Sequence, residues 1–212
     1  GERAGVVLFG NSIVASDGVT DVVRERLTRR FGDAGRGLVL ADRMASYGPR
    51  GRTARRATGW ATANIADAEA LPAPIGVTGV VHVSDGPARS VFELDGEAQA
   101  DVFWVAPPGM PPLRWRADDD AWHELSGRAG PRMARVTLPR GATRFELATS
   151  GVGTVVEGVA LERPSRGVVF DVCGVPSADA TLWLRADEAL FAQQLRARAP
   201  RLAVVMLGGN ET

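Results

Sequence analysis

A chain of 212 residues and 22.4 kDa holds one large domain or two small ones, and its 45% apolar and 24% charged residues are those of a globular protein, not a disordered one. Twenty-five basic residues balance twenty-five acidic ones, whereas a nucleic-acid binder ordinarily carries a basic excess. Nucleic acid is therefore not expected as a partner. The single cysteine, Cys173, excludes an internal disulfide framework, and no apolar run approaches the roughly 18 residues needed to cross a bilayer. The opening Gly1-Glu2-Arg3-Ala4-Gly5 lacks the pattern of a signal peptide, which leaves the compartment unread.

Residues 6–9, Val-Val-Leu-Phe, form a short continuous apolar run, the mark of a buried parallel strand. After the turn Gly10-Asn11-Ser12, the spacing of Val19, Val22, Val23, Leu27 and Phe31 predicts a helix over about 19–31 that packs through those residues. Asp17 is its expected N-cap and Gly32 its stop. In the stretch 36–76 the cluster Arg50, Arg52, Arg55 and Arg56 reads as a solvated loop in preference to a contact for an anionic polymer, and Leu71-Pro72-Ala73-Pro74 reads as a linker.

From about 77 to 163 the pattern changes. Runs of β-like composition at 80–83, 90–94, 102–105, 113–116, 135–138, 144–147 and 155–161 are separated by Gly, Pro or Asp, which predicts an antiparallel β-sandwich. Both histidines, His82 and His123, fall in this region, with Trp104, Trp115 and Trp122. An α/β pattern then returns: a strand at 167–172, a helix at about 186–198 with Leu190, Phe191 and Leu195 on one face, and a buried strand at 202–207 followed by Gly208-Gly209-Asn210-Glu211. The expected organisation is an α/β domain in two parts, 1–76 and 164–212, interrupted by a β domain at 77–163.

A serine directly after a buried parallel strand has its hydroxyl at the carboxyl end of the sheet, where open α/β sheets place ligands. Ser12 is thus either a nucleophile or a turn-forming residue. Asn210, ending another apolar strand, either donates to a developing oxyanion or caps a following helix. Asp118-Asp119-Asp120 lacks the spacing of a calcium loop and reads as an acidic turn, Gly208-Gly209-Asn210 lacks the Lys-Ser/Thr of a phosphate loop, and no Cys/His set has zinc spacing. No metal and no cofactor is expected.

The segment Val7-Leu8-Phe9-Gly10-Asn11-Ser12 resembles the first conserved block of the SGNH (GDSL-type) hydrolases, and Arg30-Phe31-Gly32-Asp33-Ala34-Gly35-Arg36-Gly37 is similar to the stretch after that block in bacterial members with an inserted β domain. Residues 167–175 look like the second block and Leu207-Gly208-Gly209-Asn210-Glu211 like the third. The resemblance implies a flavodoxin-like three-layer α/β fold with a jelly-roll-like insertion. It further implies Ser12 as nucleophile, and an oxyanion hole formed by the N–H of Ser12, a backbone N–H between Gly174 and Ser177, and the Asn210 side chain. The implied activity is hydrolysis of a small acyl ester, acetyl above all, on a carbohydrate or cell-wall glycan, as in peptidoglycan O-acetylesterases. An acyltransferase of the same superfamily and a catalytically inactive glycan-binding module are the rival readings. Trp104, Trp115 and Trp122 would be sandwich core or stacking platforms for sugar. A periplasmic or extracellular site follows from resemblance alone.

Three positions depart from the family pattern: Asn11 replaces Asp, Ile13 replaces His, and Pro176-Ser177 replaces Asn-Gly, putting a side chain where glycine would be free to adopt positive φ. The family's Asp-x-x-His segment, whose histidine serves as base, has no counterpart, and His82 and His123 read as sandwich or surface residues. The expectation is that a further C-terminal segment or a second chain completes the sheet and supplies the histidine.

Overall fold

A computed structural model of the chain describes residues 3–44, 53–105, 108–125 and 132–211; Arg50 and Arg52 lie outside them. In chain order the elements are β1 (Arg3–Gly10), α1 (Ser12–Ala15), α2 (Asp17–Phe31), β2 (Gly37–Val39), β3 (Arg56–Asn64), β4 (Val80–Glu93), β5 (Gln99–Val105) and β6 (Arg114–Ala117). They continue as β7 (His123–Glu124), β8 (Arg132–Thr137), β9 (Arg144–Thr149), β10 (Val152–Glu162), β11 (Gly167–Gly174), α3 (Ala180–Trp183), α4 (Glu188–Arg198) and β12 (Leu202–Met206). The chain is mostly β, with few helices.

Two sheets organise it. The first is parallel, in the order β11-β1-β12, so the first apolar run of the chain forms its centre. Val6 and Leu8 face Val168, Phe170 and Leu27 on one side, while Val7 and Phe9 face Cys173, Phe191 and Trp183 on the other. A strand covered on both faces must be apolar at every position, which is why period-two alternation is absent there.

The second sheet has nine strands along the path β7-β6-β9-β4-β10-β5-β8, with β2 on β10 and β3 on β4. The runs expected as separate strands at 80–83 and 90–94 are one strand, β4, which pairs with β10 near Val83 and with β9 from Ala88 to Glu93. Asp85-Gly86-Pro87 bends the strand without ending it; Gly86 takes φ 112°, and Gly59 on the facing β3 takes φ 77° at a shift in register. Passing from one partner to the other folds the sheet over a shared core. Phe92, Phe145 and Leu147 from one half meet Val102, Trp104, Val136, Val156 and Val159 from the other.

Other expectations need correction. Asp17 does not cap α2; it is the first helical residue, and Ser16 occupies the cap, its hydroxyl donating instead to Ile13 O at 2.9 Å. A one-turn helix, α1, precedes it and shifts the start toward the turn. Nor does α2 bury the face that its spacing suggested. Val19, Val22, Val23 and Phe31 are exposed, whereas Thr20 is buried and Leu27 packs on the sheet. Arg24 reaches the sheet by donating to Phe170 O at 2.9 Å. Arg55 and Arg56 are exposed as expected, but Arg56 begins β3, opposite Val91, and does not belong to a loop. Finally, β12 is not a buried strand. Among the described residues only β1 pairs with it, and Leu202, Val204, Val205 and Met206 are 38–66% exposed.

The two sheets are joined by buried ion pairs that the sequence pattern did not announce. Arg198 on α4 donates from Nε to Asp171 Oδ2 at 2.8 Å and from Nη1 to Glu162 Oε1 at 2.6 Å. Asp171 on β11 also accepts from the Leu38 N–H of β2 at 2.9 Å, and Arg3 of β1 pairs with Glu162. All three of Arg198, Asp171 and Glu162 are nearly inaccessible. Breaking such a network leaves a charge buried without compensation, so it fixes how β11 and α4 sit against β10.

Candidate active site

The carboxyl ends of the three parallel strands lie side by side. Gly10 is in register with Gly174 on one flank and Met206 on the other. The segments following them, 11–12, 175–179 and 207–211, therefore emerge at one rim of one sheet. Ser12, the segment from Gly174 to Ser177, and Asn210 are all found there.

Two glycines allow this rim to be so compact. A methyl group on Gly10 would lie 2.5 Å from Met206 O and would meet the Val14 side chain, and one on Gly174 would lie 2.6–2.7 Å from the backbone of Val14 and Ala15. Helix α1 thus sits directly on the ends of β1 and β11, at a distance only hydrogen side chains permit. Val14, fully buried, holds it there.

Ser12 is the first residue of α1 and is exposed. In the first helical turn an N–H has no acceptor within the helix. Asn11 is buried and caps α1, its Oδ1 accepting from the Ile13 N–H at 3.1 Å. The Ser12 N–H has no hydrogen-bond acceptor among the described residues. A neutral amide performs this cap at a lower desolvation cost than a carboxylate would.

The loop after β11 is anchored at both ends and open in the middle. Val175 donates from its N–H to Gly10 O at 3.0 Å, and Ala178 N–H closes a turn onto Val175 O at 3.1 Å. Val175 and Ala178 are wholly buried, while Ser177 between them is exposed with φ 63°. Proline at the second turn position and positive φ at the third are the pattern of a type II turn. Ser177 therefore adopts the left-handed conformation that glycine would occupy more cheaply. A non-glycine residue held there stores backbone strain, which surrounding structure must over-determine. The buried Val175 and Ala178 do so.

Asn210 is drawn to the same loop. Its Nδ2 donates to Ala178 O at 3.0 Å, and an amide nitrogen carries a second hydrogen. One N–H thus fixes the side chain against the turn, and the other has no acceptor among the described residues. Sequence reasoning named Asn210 but missed Ala178 O as its anchor and Asn11 as the cap; for Asn11, the only signal was an amide directly before a helix.

Neither histidine is at this rim. His82 is fully buried on β4, 2.8 Å from Thr62 Oγ1 and within 3.4 Å of the Asp42 N–H, and burial pushes its pKa down to about 3. His123 is exposed on β7 and stacks on Trp115 with ring centroids 4.8 Å apart. Trp104 is core, 2% exposed, and not a platform for sugar. Trp115 packs against the same core, and the face of Trp122 is covered by the guanidinium of Arg116 at 4.8 Å. Asp118 and Asp119 form a turn that ties Thr143 and Arg144.

No family model matches the chain, and no curated protein does. Among solved structures, a peptidoglycan O-acetylesterase superposes with a TM-score of 0.78 at 18% identity, covering 99% of this chain and 57% of that one. The chain has the fold of that part of the esterase and spans little more than half its length. A 4-O-methyl-α-glucuronidase with specificity for decorated arabinogalactans overlaps half of the chain with a TM-score of 0.29 and 12% identity, too slight a likeness to carry meaning.

Proposed function

We propose that the chain carries the nucleophile and oxyanion hole of an SGNH-type serine esterase, with a flavodoxin-like α/β unit interrupted by the nine-stranded β region, acting on acetyl esters of a cell-wall or other carbohydrate. The observation that carries this reading is the meeting of Ser12, the 174–177 turn and Asn210 at one rim of the parallel sheet. The fold shared with a peptidoglycan O-acetylesterase supports the substrate class.

In this reading Ser12 Oγ attacks the acetyl carbonyl carbon, and the oxygen that becomes negative receives the N–H groups of Ser12 and of the 174–177 turn and the second Asn210 amide hydrogen. Donors fixed before charge develops are each worth on the order of 10²–10³ in rate, since nothing reorganises as the reaction proceeds. The strain at Ser177 is then the cost of aiming a turn N–H at the oxyanion. Collapse of the tetrahedral intermediate releases the sugar hydroxyl, and water cleaves the acetyl-serine. The proton of Ser12 needs a base. Since His82 and His123 are both engaged in the nine-stranded sheet, we assign the base to a group outside the described residues.

The test supplies that base from solution. Hydrolysis of p-nitrophenyl acetate is followed against imidazole concentration for the protein and for Ser12→Ala, whose rate also gives the background reaction of imidazole itself. A steeper imidazole dependence with Ser12 present is expected, with acetate as the product in place of transfer to a glycan acceptor. Identical slopes in the two proteins would defeat the assignment.

A further inference from the structure

A second concave surface lies away from this rim, on the outer face of four adjacent strands in the order β3-β4-β9-β6. The pairing puts Arg56, Val91, Glu146 and Arg116 in one row across the strands, with Thr58 and Arg89 in the next row and Glu93 beside Arg144 on the other side. The groove encloses about 770 Å³, and its lining includes Arg55, Arg56, Arg89, Arg116, Arg144 and Glu146. With strands about 4.8 Å apart, four of them span roughly 14 Å, the scale of an extended polymer segment more than of a single small ion.

Its charge is unusual for a neutral protein. Five arginines face three carboxylates, Glu93, Asp119 and Glu146, an excess of two positive charges. At the centre, Glu146 is 1% exposed and receives three guanidinium groups: Arg89 Nε at 2.9 Å, Arg116 Nε at 3.1 Å, and Arg144 Nε at 2.9 Å. The Arg144 Nε–H, though close, is not aligned for a hydrogen bond and is buried with no acceptor. One buried carboxylate thus orders three cations that repel one another, while most of their five N–H donors each remain unspent. At the edges, Arg55 pairs with the exposed Glu93 at 3.4 Å and Arg144 with Asp119 at 2.6 Å. Arg56 has no ion-pair partner among the described residues.

We infer that this groove is a binding subsite for an anionic polysaccharide, whose acidic groups seat among Arg55, Arg56, Arg89, Arg116 and Arg144. The surface is rich in donors and poor in acceptors, so its ligand is an oxyanion, carboxylate or phosphate, which guanidinium groups match with paired hydrogen bonds. Preordering by Glu146 removes much of the side-chain entropy that binding would otherwise cost. The hydroxyl of Thr58 on the lining is suited to sugar hydroxyls. A single-stranded nucleic acid is disfavoured because no aromatic side chain lines the groove for its bases to stack on. That the polymer is a glycan rests on the esterase reading above; that the groove takes an oxyanion does not.

The experiment is a binding titration of the intact protein at low salt with alginate, a phosphate-bearing mannan, dextran and a single-stranded DNA oligonucleotide. Alginate or phosphomannan is expected to bind with a salt-sensitive affinity, the tighter of the two naming the acid, and dextran not at all. Arg56→Gln, which breaks no internal ion pair among the described residues, should weaken binding by about 1.5- to fivefold, the range of exposed charge pairs. Glu93→Gln should strengthen it by about twofold. Equal binding of dextran, tighter binding of the oligonucleotide, or affinities unmoved by both substitutions would overturn the inference. Ser12→Ala is the control that separates the two claims: it should leave alginate binding intact even where ester hydrolysis is lost, and Arg56→Gln should leave p-nitrophenyl acetate hydrolysis intact.

Discussion

Glu157 on β10 offers a quantitative check on how the two sheets meet. Its carboxylate is 1% exposed, accepts from the Gly76 N–H at 2.8 Å, and lies beside Gln194 of α4, which accepts from the Val77 N–H at 2.8 Å. Burial raises its pKa from 4.5 to about 7, with the charge of Asp187 adding to the rise and the hydrogen bonds from Gln194 and Gly76 opposing it. The folded protein therefore keeps a proton that the unfolded chain loses first. Stability falls as pH rises from about 4.5 to about 7 and is level beyond. At ~1.4 kcal/mol per pH unit the loss is about 3 kcal/mol. His82 works in the opposite sense. Its pKa, lowered from 6.5 to about 3 by burial, removes stability as pH falls below 6.5. Between pH 4.5 and 6.5 the two slopes oppose each other.

Glu157→Gln removes one of them while keeping an acceptor for Gly76. Urea unfolding of both proteins, followed by tryptophan fluorescence at several pH values, measures the difference, in which all other titrations cancel. Relative to the native protein, the variant should gain about 3 kcal/mol between pH 4.5 and 7, then no more. A difference that stays flat across this window would show that Glu157 is not buried against α4 and would refute this packing of the two sheets.

Other outcomes rest on the same contacts. Arg198→Ala strands Asp171 without its cation and leaves Glu162 to Arg3 alone, and should cost about 3–5 kcal/mol in urea unfolding. Gly10→Ala places a methyl 2.5 Å from Met206 O; it should cost about 1–3 kcal/mol and reduce Ser12-dependent ester hydrolysis along with it. At Ser177, φ 63° makes glycine nearly neutral, within about 1 kcal/mol, whereas Ser177→Val should lose about 1–2 kcal/mol in the same assay.

The parallel sheet was legible because a strand buried on both faces is written as an unbroken apolar run, and residues 6–9 and 168–170 are such runs. The rim was legible for a related reason: parallel strands carry their functional turns at one end. The features that escaped were set by partners distant in sequence. Nothing local distinguishes a buried Thr20 from an exposed Val19 on α2; the sheet beneath decides, through a hydrogen bond to Arg24. Taking Gly, Pro and Asp as separators split β4 at Asp85-Gly86-Pro87, because a bend that changes partners and a turn that ends a strand use the same residues. The arginines of the groove were scattered over four segments, from Arg55 to Arg144, and only strand pairing gathers them around Glu146.

Whether a hydroxyl, a turn amide and an asparagine share one reacting atom is best seen in a crystal structure of the protein after treatment with a fluorophosphonate in the presence of imidazole. The account predicts a phosphonyl group on Ser12 Oγ, its free oxygen about 2.7–3.1 Å from the Ser12 N–H nitrogen, a backbone nitrogen of the 174–177 turn and Asn210 Nδ2. A modified residue elsewhere, or an oxygen on Ser12 pointing to solvent away from Asn210, would contradict it.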